Sequence, residues 1–493
     1  MQARSVLILV LIIQTFLSNY SRAQDIVTYV APEGVQASKD YEVLVRTEGD
    51  DKWKPVFVHT ATVNVRNAKK NGESSFASFD ASYAKPVEIK ISKKNGSFKD
   101  VKIRPESKNI KFTSAKQSVQ FKINKSEKLS VEFDGDRLNN LFIFSNNIET
   151  DVPGKDDANV VFYGPGIHQV GDLKVKNGQI IYLQGGAVVQ GSINIYDKNN
   201  VTIRGRGILN GSVLNHDRKK TRPNLLKFKN GNNIKVEGIT LIDSPVWSLF
   251  IDKCEDVKID NVKVISYMIN ADGITLSQSK NVTVNDVFIR SADDNISIKS
   301  MNGGSCEAIS VTNATLWADD AHNMLIGPES KGANYAQIKF SDIDVLENTQ
   351  RSGMYSGVMS IMASDKASIS GIYWDKIRIG DISGGELIRL NYTKVHSVDK
   401  DSYGNDIRDI HFSNITYNGA NASAGTIKGV DGAKTIRNVT IKNFRFNNEP
   451  VKRGEASAVP NKASSRSRAL RPEERPASQI SVNSFVDKIN ISE

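Results

Sequence analysis

Cysteine is almost missing from this chain. Only Cys254 and Cys306 occur in 493 residues, which excludes a disulfide framework as the source of stability. On the repeat register argued below they sit two turns apart, about 10 Å. That is beyond disulfide reach, so two buried free thiols are expected. Long apolar runs are missing too. The exception, Val6 to Ile13, is too short to span a bilayer, which takes ~20 residues. It follows Arg4 and precedes the small-x-small site Ser21-Arg22-Ala23. Residues 1–23 therefore read as a secretory signal peptide, and the mature protein as secreted or otherwise extracytoplasmic, with no membrane span after cleavage. The net charge of +10 is modest and is not gathered on a basic helix or arm, which argues against a nucleic-acid partner. Nothing in the pattern asks for a metal or a cofactor.

Helical periodicity is the last absence, and β-strand alternation fills the space. Residues 24–145 hold Tyr41-Val43-Val45, Val87-Ile89-Ile91, Val119-Phe121-Ile123 and Leu129-Val131-Phe133, separated by Gly, Asn and Lys clusters. This spacing predicts an N-terminal β-sandwich. Residues 146–159 are polar and read as a linker. From residue 160 to 450 a short apolar-x-apolar strand recurs at Val201, Ile234, Val257, Val282, Ile309, Ile338, Ile372, Ile410 and Val439. Each unit is too thin to bury its own apolar face, so the units must stack. Propeller blades repeat every ~40 residues, longer and more regularly than these steps. The prediction is an all-β chain whose main domain is a right-handed parallel β-helix. Residues 451–493 read as a low-complexity tail, expected to be disordered.

The chemistry gathers between Asn270 and Ser300. Two strands there, Ile274 to Ser277 and Ile296 to Lys299, each follow an aspartate. Aligning the inward apolar residues of successive turns puts Trp247, Asp272, Asp294 and His322 at one position of the coil. Asp293 stands beside Asp294, and Asn270 and Asn323 flank the column. Neighbouring strands lie ~4.8 Å apart, so three carboxylates crowd one edge. Glycoside hydrolysis needs such a set: one carboxyl group protonates the leaving oxygen while another carboxylate acts on the opposite face. Crowding of like charges keeps one of them protonated. The expected catalytic residues are Asp293, Asp272 and Asp294. The expected substrate-binding residues are His322, Asn270, Trp247, Asn323 and Lys299, and the expected partner is a polysaccharide. Asp319-Asp320 reads as a loop pair, and Trp317 is read equally as packing or as a sugar platform.

The stretches Asn270 to Gly273 and Ala292 to Ser300 resemble family 28 glycoside hydrolases, the polygalacturonases. The chain is also similar to family 49, the dextranases and isopullulanase. Those place a β-sandwich ahead of the helix, with a Tyr-Gly-Pro-Gly entry and a Gly-x-Gly-Ile-Leu turn. Tyr163 to Gly166 and Gly205 to Leu209 match these. The resemblance covers roughly residues 24–450 and is closer to family 49 in architecture. It implies an inverting hydrolase, with Asp293 as general acid and Asp272 and Asp294 holding and deprotonating the water. His322 matches a family 28 histidine, although its glycine neighbours are replaced by Ala321 and Asn323. The cations that hold a galacturonate carboxylate in family 28 are missing from Gly357-Val358-Met359-Ser360-Ile361. That departure favours a neutral α-linked polysaccharide, dextran- or pullulan-like. A polygalacturonase-like or sulfated-galactan hydrolase is the alternative. Two further classes stay open: a Ca²⁺-dependent lyase with Arg290 as base, and a glycan-binding solenoid without catalysis.

Overall fold

The computed structural model describes residues 25–65, 70–171, 173–350, 356–395, 397–398, 402–455 and 477–493. The signal-peptide expectation for residues 1–23 lies outside the described residues. The N-terminal unit is two packed sheets, one of six strands and one of five. Alternation along each strand decides its core. Tyr41–Thr47 buries Tyr41, Val43, Val45 and Thr47 and leaves the residues between them partly open. Ile89, Ile91, Val119 and Phe121 join Leu129, Val131, Phe133 and Ile143 in one apolar core.

The rest of the chain winds into a parallel solenoid. One coil runs through Leu249–Asp252, Glu255–Asp260 and Lys263–Ile265. The next runs through Ile274–Ser277, Lys280–Asn285 and Phe288–Ser291. Each strand pairs in parallel with its counterpart one coil on. The coils build a 19-stranded sheet and an 11-stranded sheet. Their inward residues merge into one core, in which Phe340, Trp374 and Phe412 stack face to face at 5.7 and 4.8 Å.

The corners explain the Asn and Asp content. Gly238, Asn261, Asp286, Asn313, Asp342, Lys376, Asn414 and Asn443 all have positive φ. The strand registers put them at one corner of eight successive coils. A left-handed residue costs roughly 1–2 kcal/mol except for Gly, Asn and Asp. Several of these side chains also bond up the column, as Asn313 Nδ2 does to Asp286 Oδ1 at 3.1 Å.

The sandwich packs along one side of the solenoid. Phe76, Phe142 and Phe144 meet Ile242, Ile265, Phe288 and Trp317 in a buried cluster. Arg290 is fully buried in this interface. It holds Asp319 through two hydrogen bonds of 2.7 and 3.0 Å, and its Nη1 donates to Ser74 Oγ and Asn140 Oδ1 at 2.9 Å. Asp319, expected in an open loop, is therefore an ion-pair partner inside the protein. Trp317 is an interface residue with no exposure.

The connecting segments are more ordered than their composition suggests, and the expectation of a disordered tail needs correction. Residues 148–159 carry no strand but are held against the first coils: Tyr182 Oη donates to Glu149 at 2.8 Å, and Arg204 Nη2 to the Thr150 carbonyl at 2.8 Å. Within the tail, Lys452–Glu455, Gln479–Val482 and Val486–Ser492 are strands. Gln479–Val482 extends the 11-stranded sheet and Val486–Ser492 the 19-stranded one. Ile480 and Val482 bury the same inward face that the coils before them bury. Both cysteines are free and buried, as expected.

Candidate active site

The expected column exists. Ser248 N donates to Asp272 O, Gly273 N to Asp294 O and Asn295 N to His322 O, at 2.8 to 2.9 Å. Trp247, Asp272, Asp294 and His322 therefore occupy the same position of four successive coils, at the edge of the 11-stranded sheet. One carboxylate oxygen each from Asp272, Asp293 and Asp294 lies within 4.8 Å of the others. Carboxyl groups of inverting glycosidases stand ~6.5–9.5 Å apart, so the nearest oxygens here are closer than that spacing.

Each carboxylate has its own partners. Asp272 is 1% exposed. Its Oδ2 accepts from Thr275 Oγ1 at 3.2 Å, Ser297 Oγ at 2.9 Å and Lys299 Nζ at 3.1 Å. Lys299 Nζ also pairs with Glu329 at 3.1 Å. Asp293, the most open of the three, accepts the Asn270 backbone N–H on Oδ2 at 3.0 Å and that of Asp294 on Oδ1 at 3.1 Å. Asp294 Oδ1 accepts from His322 twice, from the backbone N–H at 3.1 Å and from Nδ1 at 2.9 Å. An ionised carboxylate only accepts, so Nδ1 carries the proton of that bond.

These partners divide the protons. Burial pushes Asp272 up to about 8 against the pull of Lys299, and Asp293 and Asp294 push it further. Burial and the Asp294 charge push Asp293 up to about 6. Burial pulls Asp294 upward as well, but the hydrogen bond and charge of His322, with Lys299 behind them, hold it below the usual carboxylate range. Burial disfavours the Lys299 ammonium, yet Asp272 and Glu329 raise it above its ordinary value. Lys299 is thus a fixed cation, Asp294 is the carboxylate held ionised, and Asp272 and Asp293 are both pushed towards their protonated forms. A proton on Asp272 would sit on Oδ1, because Oδ2 already takes three donors.

The remaining expected residues fall into two groups. Asn270 is at the site through its backbone, with φ 64°. Trp247 is half-buried, with Lys299 Nζ 5.1 Å from its ring centroid. Asn323 is inside the coil instead. It donates to Asn295 Oδ1 at 2.8 Å and accepts from Asn348 Nδ2 at 3.0 Å, in a buried asparagine ladder. Lys299, expected to bind substrate, is committed to Asp272 and Glu329. Arg290, named as base for a lyase, is locked in the sandwich interface.

Sequence reasoning missed Thr275, Ser297, Glu329 and Arg222. The first two alternate outward on the very strands it aligned. Arg222 gave no signal. Its Nη1 donates to the carbonyls of Pro245 and Ile269 at 2.6 and 2.7 Å, and its Nη2 to Asn270 Oδ1 at 3.0 Å. It pins the turn whose amide holds Asp293.

A parallel β-helix with acidic side chains from successive coils meeting at one sheet edge is the frame of a glycoside hydrolase. A family model, Glycosyl hydrolases family 28, matches residues 145–465, and the chain belongs to that family. It is 28% identical over 282 residues to an exopolygalacturonase of Zea mays, covering 52% of this chain and 66% of that one. Across the first curated relatives the matched stretch spans 24% to 66% of the relative's own length. Among solved structures, Dex49A from Penicillium minioluteum superposes with a TM-score of 0.68 at 16% identity, covering 94% of this chain and 96% of that one. An exopolygalacturonase from Thermotoga maritima superposes with a TM-score of 0.50 at 18% identity, over 58% of this chain and 78% of that one. At these identities both likenesses concern the fold. The Dex49A match takes in the sandwich as well as the coil.

Proposed function

We propose that this family 28 hydrolase cleaves an anionic α-linked polysaccharide of the polygalacturonate type. Asp293 gives its proton to the leaving oxygen, Asp294 takes one from the attacking water, and Asp272, which keeps its own proton, helps to hold that water. The observation that carries the reading is the meeting of three carboxylates within 4.8 Å at one coil edge, each with different partners. An acid that keeps its proton stands beside a base that has lost its own. The maize relative's name supports the substrate class. So does the placement of cations. The strand Met359–Ala363 turns Met359 and Ile361 into the core, which leaves Ser360 and Met362 to face outward. Positive charge comes instead from Lys227, which turns outward on the same sheet face. Export of the protein is part of the proposal and rests on residues 1–23 alone; N-terminal sequencing of protein secreted by an expressing host checks it.

The test is release of reducing ends from polygalacturonate, carrageenan, galactan, dextran and pullulan, with Asp293→Asn as control. Activity on polygalacturonate that the variant loses is the expected result. Cleavage of dextran or pullulan alone would overturn the substrate class, and full activity of the variant would overturn the acid. Proton NMR of the first product decides inversion or retention at the anomeric carbon.

A further inference from the structure

The 11-stranded sheet carries a second feature on the face that holds Asp272. Lys227, Phe250, Thr275 and Ser297 are partners on four successive strands. Leu226, Phe228, Leu249 and Ile251 fill the core between and beside them, so these four turn outward in one line. Thr275 and Ser297 are the hydroxyls on Asp272 Oδ2. Lys227 stands two strands from Thr275, about 10 Å along the sheet. Its Nζ lies 5.3 Å from the Tyr196 ring centroid and 5.2 Å from that of Phe250. Phe250 meets Trp247 edge to face at 4.6 Å, and Trp247 carries Lys299 at 5.1 Å. A line of aromatic contacts thus runs from the carboxylate cluster through buried Phe250 to Tyr196, a residue 48% exposed.

Two lysines on this strand have opposite fates. Lys229 is paired with Asp252 at 3.7 Å. Lys227 forms no ion pair among the described residues. Two rings restrict it, and ring faces leave an ammonium's charge available to an anion approaching from solvent.

We propose that Lys227 and Tyr196 form a distal subsite for an acidic sugar unit, on the side of the cleavage point that faces the start of the coil. The ammonium takes the carboxylate of a uronate, and the Tyr196 ring takes an apolar sugar face. This rests on the reading above and adds where a second charged unit of the chain binds. The site selects for length, because only oligomers reaching about 10 Å from the carboxylates along the sheet touch it.

The experiment measures binding of di- to hexagalacturonate by calorimetry to Asp293→Asn protein, with and without Lys227→Gln or Tyr196→Ala. Lys227→Gln should weaken binding of the longest oligomers about tenfold, leave the digalacturonate unchanged and reduce the salt dependence. Tyr196→Ala should show the same length dependence with the salt dependence retained. Both side chains lie at the surface, and unchanged thermal melting will show that the fold is intact. An equal loss for short and long oligomers, or no loss, would overturn the subsite. Failure of the function reading looks different: the parent enzyme would then cleave only neutral glycans, whatever Lys227→Gln does to uronate binding.

Discussion

Replacing His322 by Leu tests how the protons are divided. In the proposed reaction Asp294 can serve as base only because its carboxylate stays ionised in a buried site. Two donors from one residue do most of this work, the His322 backbone N–H at 3.1 Å and Nδ1 at 2.9 Å. The substitution removes the second and keeps the first. A hydrogen bond to a charged group contributes about 1.5–3 kcal/mol. At 1.36 kcal/mol per pKa unit, Asp294 should rise by about 1–2 units. The sign follows from its role: activity appears as pH rises through the pKa of the base. The acidic limb of kcat/KM against pH should therefore move up by about 1–2 units. The basic limb would report loss of the proposed acid's proton, with Asp293 pushed up to about 6, and should stay in place. The window between the limbs narrows, so the loss is greatest at low pH. The assay is initial rates of reducing-end release between about pH 3 and 8, on protein with normal melting behaviour. A loss equal at every pH, with both limbs unmoved, would refute the argument and make His322 a substrate contact instead.

Three further outcomes follow from the same geometry. Asp293→Asn should lower kcat by about 10²–10⁴-fold, the usual contribution of a general acid, with KM little changed; steady-state kinetics on polygalacturonate will read it. Arg222→Ala should free the Asn270 turn, weaken the amide bond to Asp293 and raise the pKa of that acid. The basic limb then moves to higher pH, and an unmoved limb beside a raised KM would show that Arg222 binds substrate instead. Arg290→Met should leave Asp319 buried without its cation and cost about 3–5 kcal/mol in urea unfolding. Folded Arg290→Met protein should keep its kcat, whereas loss of kcat without loss of stability would revive Arg290 as a base.

The column was legible because two periods fix it. Alternation along each strand says which residues face inward, and the coil repeat says which strands stack. Together they place Trp247, Asp272, Asp294 and His322 in line without any coordinates. What failed was any question about the other sides of the coil. Trp317 and Asp319 sit one coil beyond Arg290 and Ser291 on a face that looks no different in sequence from the open one. Only the sandwich, packed there through Phe142 and Phe144, makes it an interface. Arg222 was invisible for another reason. It reaches across two turns to carbonyl oxygens, and carbonyls leave no trace in side-chain patterns. The tail was misjudged because its two coil strands follow a long Lys-, Arg- and Ser-rich run. The inward pairs Ile480 and Val482, then Ile489 and Ile491, continue the repeat, but they are too few to stand out.

The charge balance of the site bears on its substrate. Asp272, Asp293, Asp294 and Glu329 crowd around the Lys299 ammonium, which pairs with Asp272 and Glu329. Two like charges at the 4.8 Å limit repel by about 3.5 kcal/mol at an effective dielectric of ~20. That is about 2.5 pKa units, so the cluster cannot ionise fully near neutral pH. The retained proton is a product of crowding, and crowding is supplied by the coil repeat itself. The same crowding leaves the centre of the cleft negative, which repels a uronate chain. An enzyme for such a chain must therefore place its cations outside the cluster, far enough not to ionise the acid and near enough to hold the sugars on either side. Lys299 is too close to serve, because it already sets the protonation of Asp272. Lys227, two strands away over aromatic rings, has the distance and the free charge that this division of labour demands.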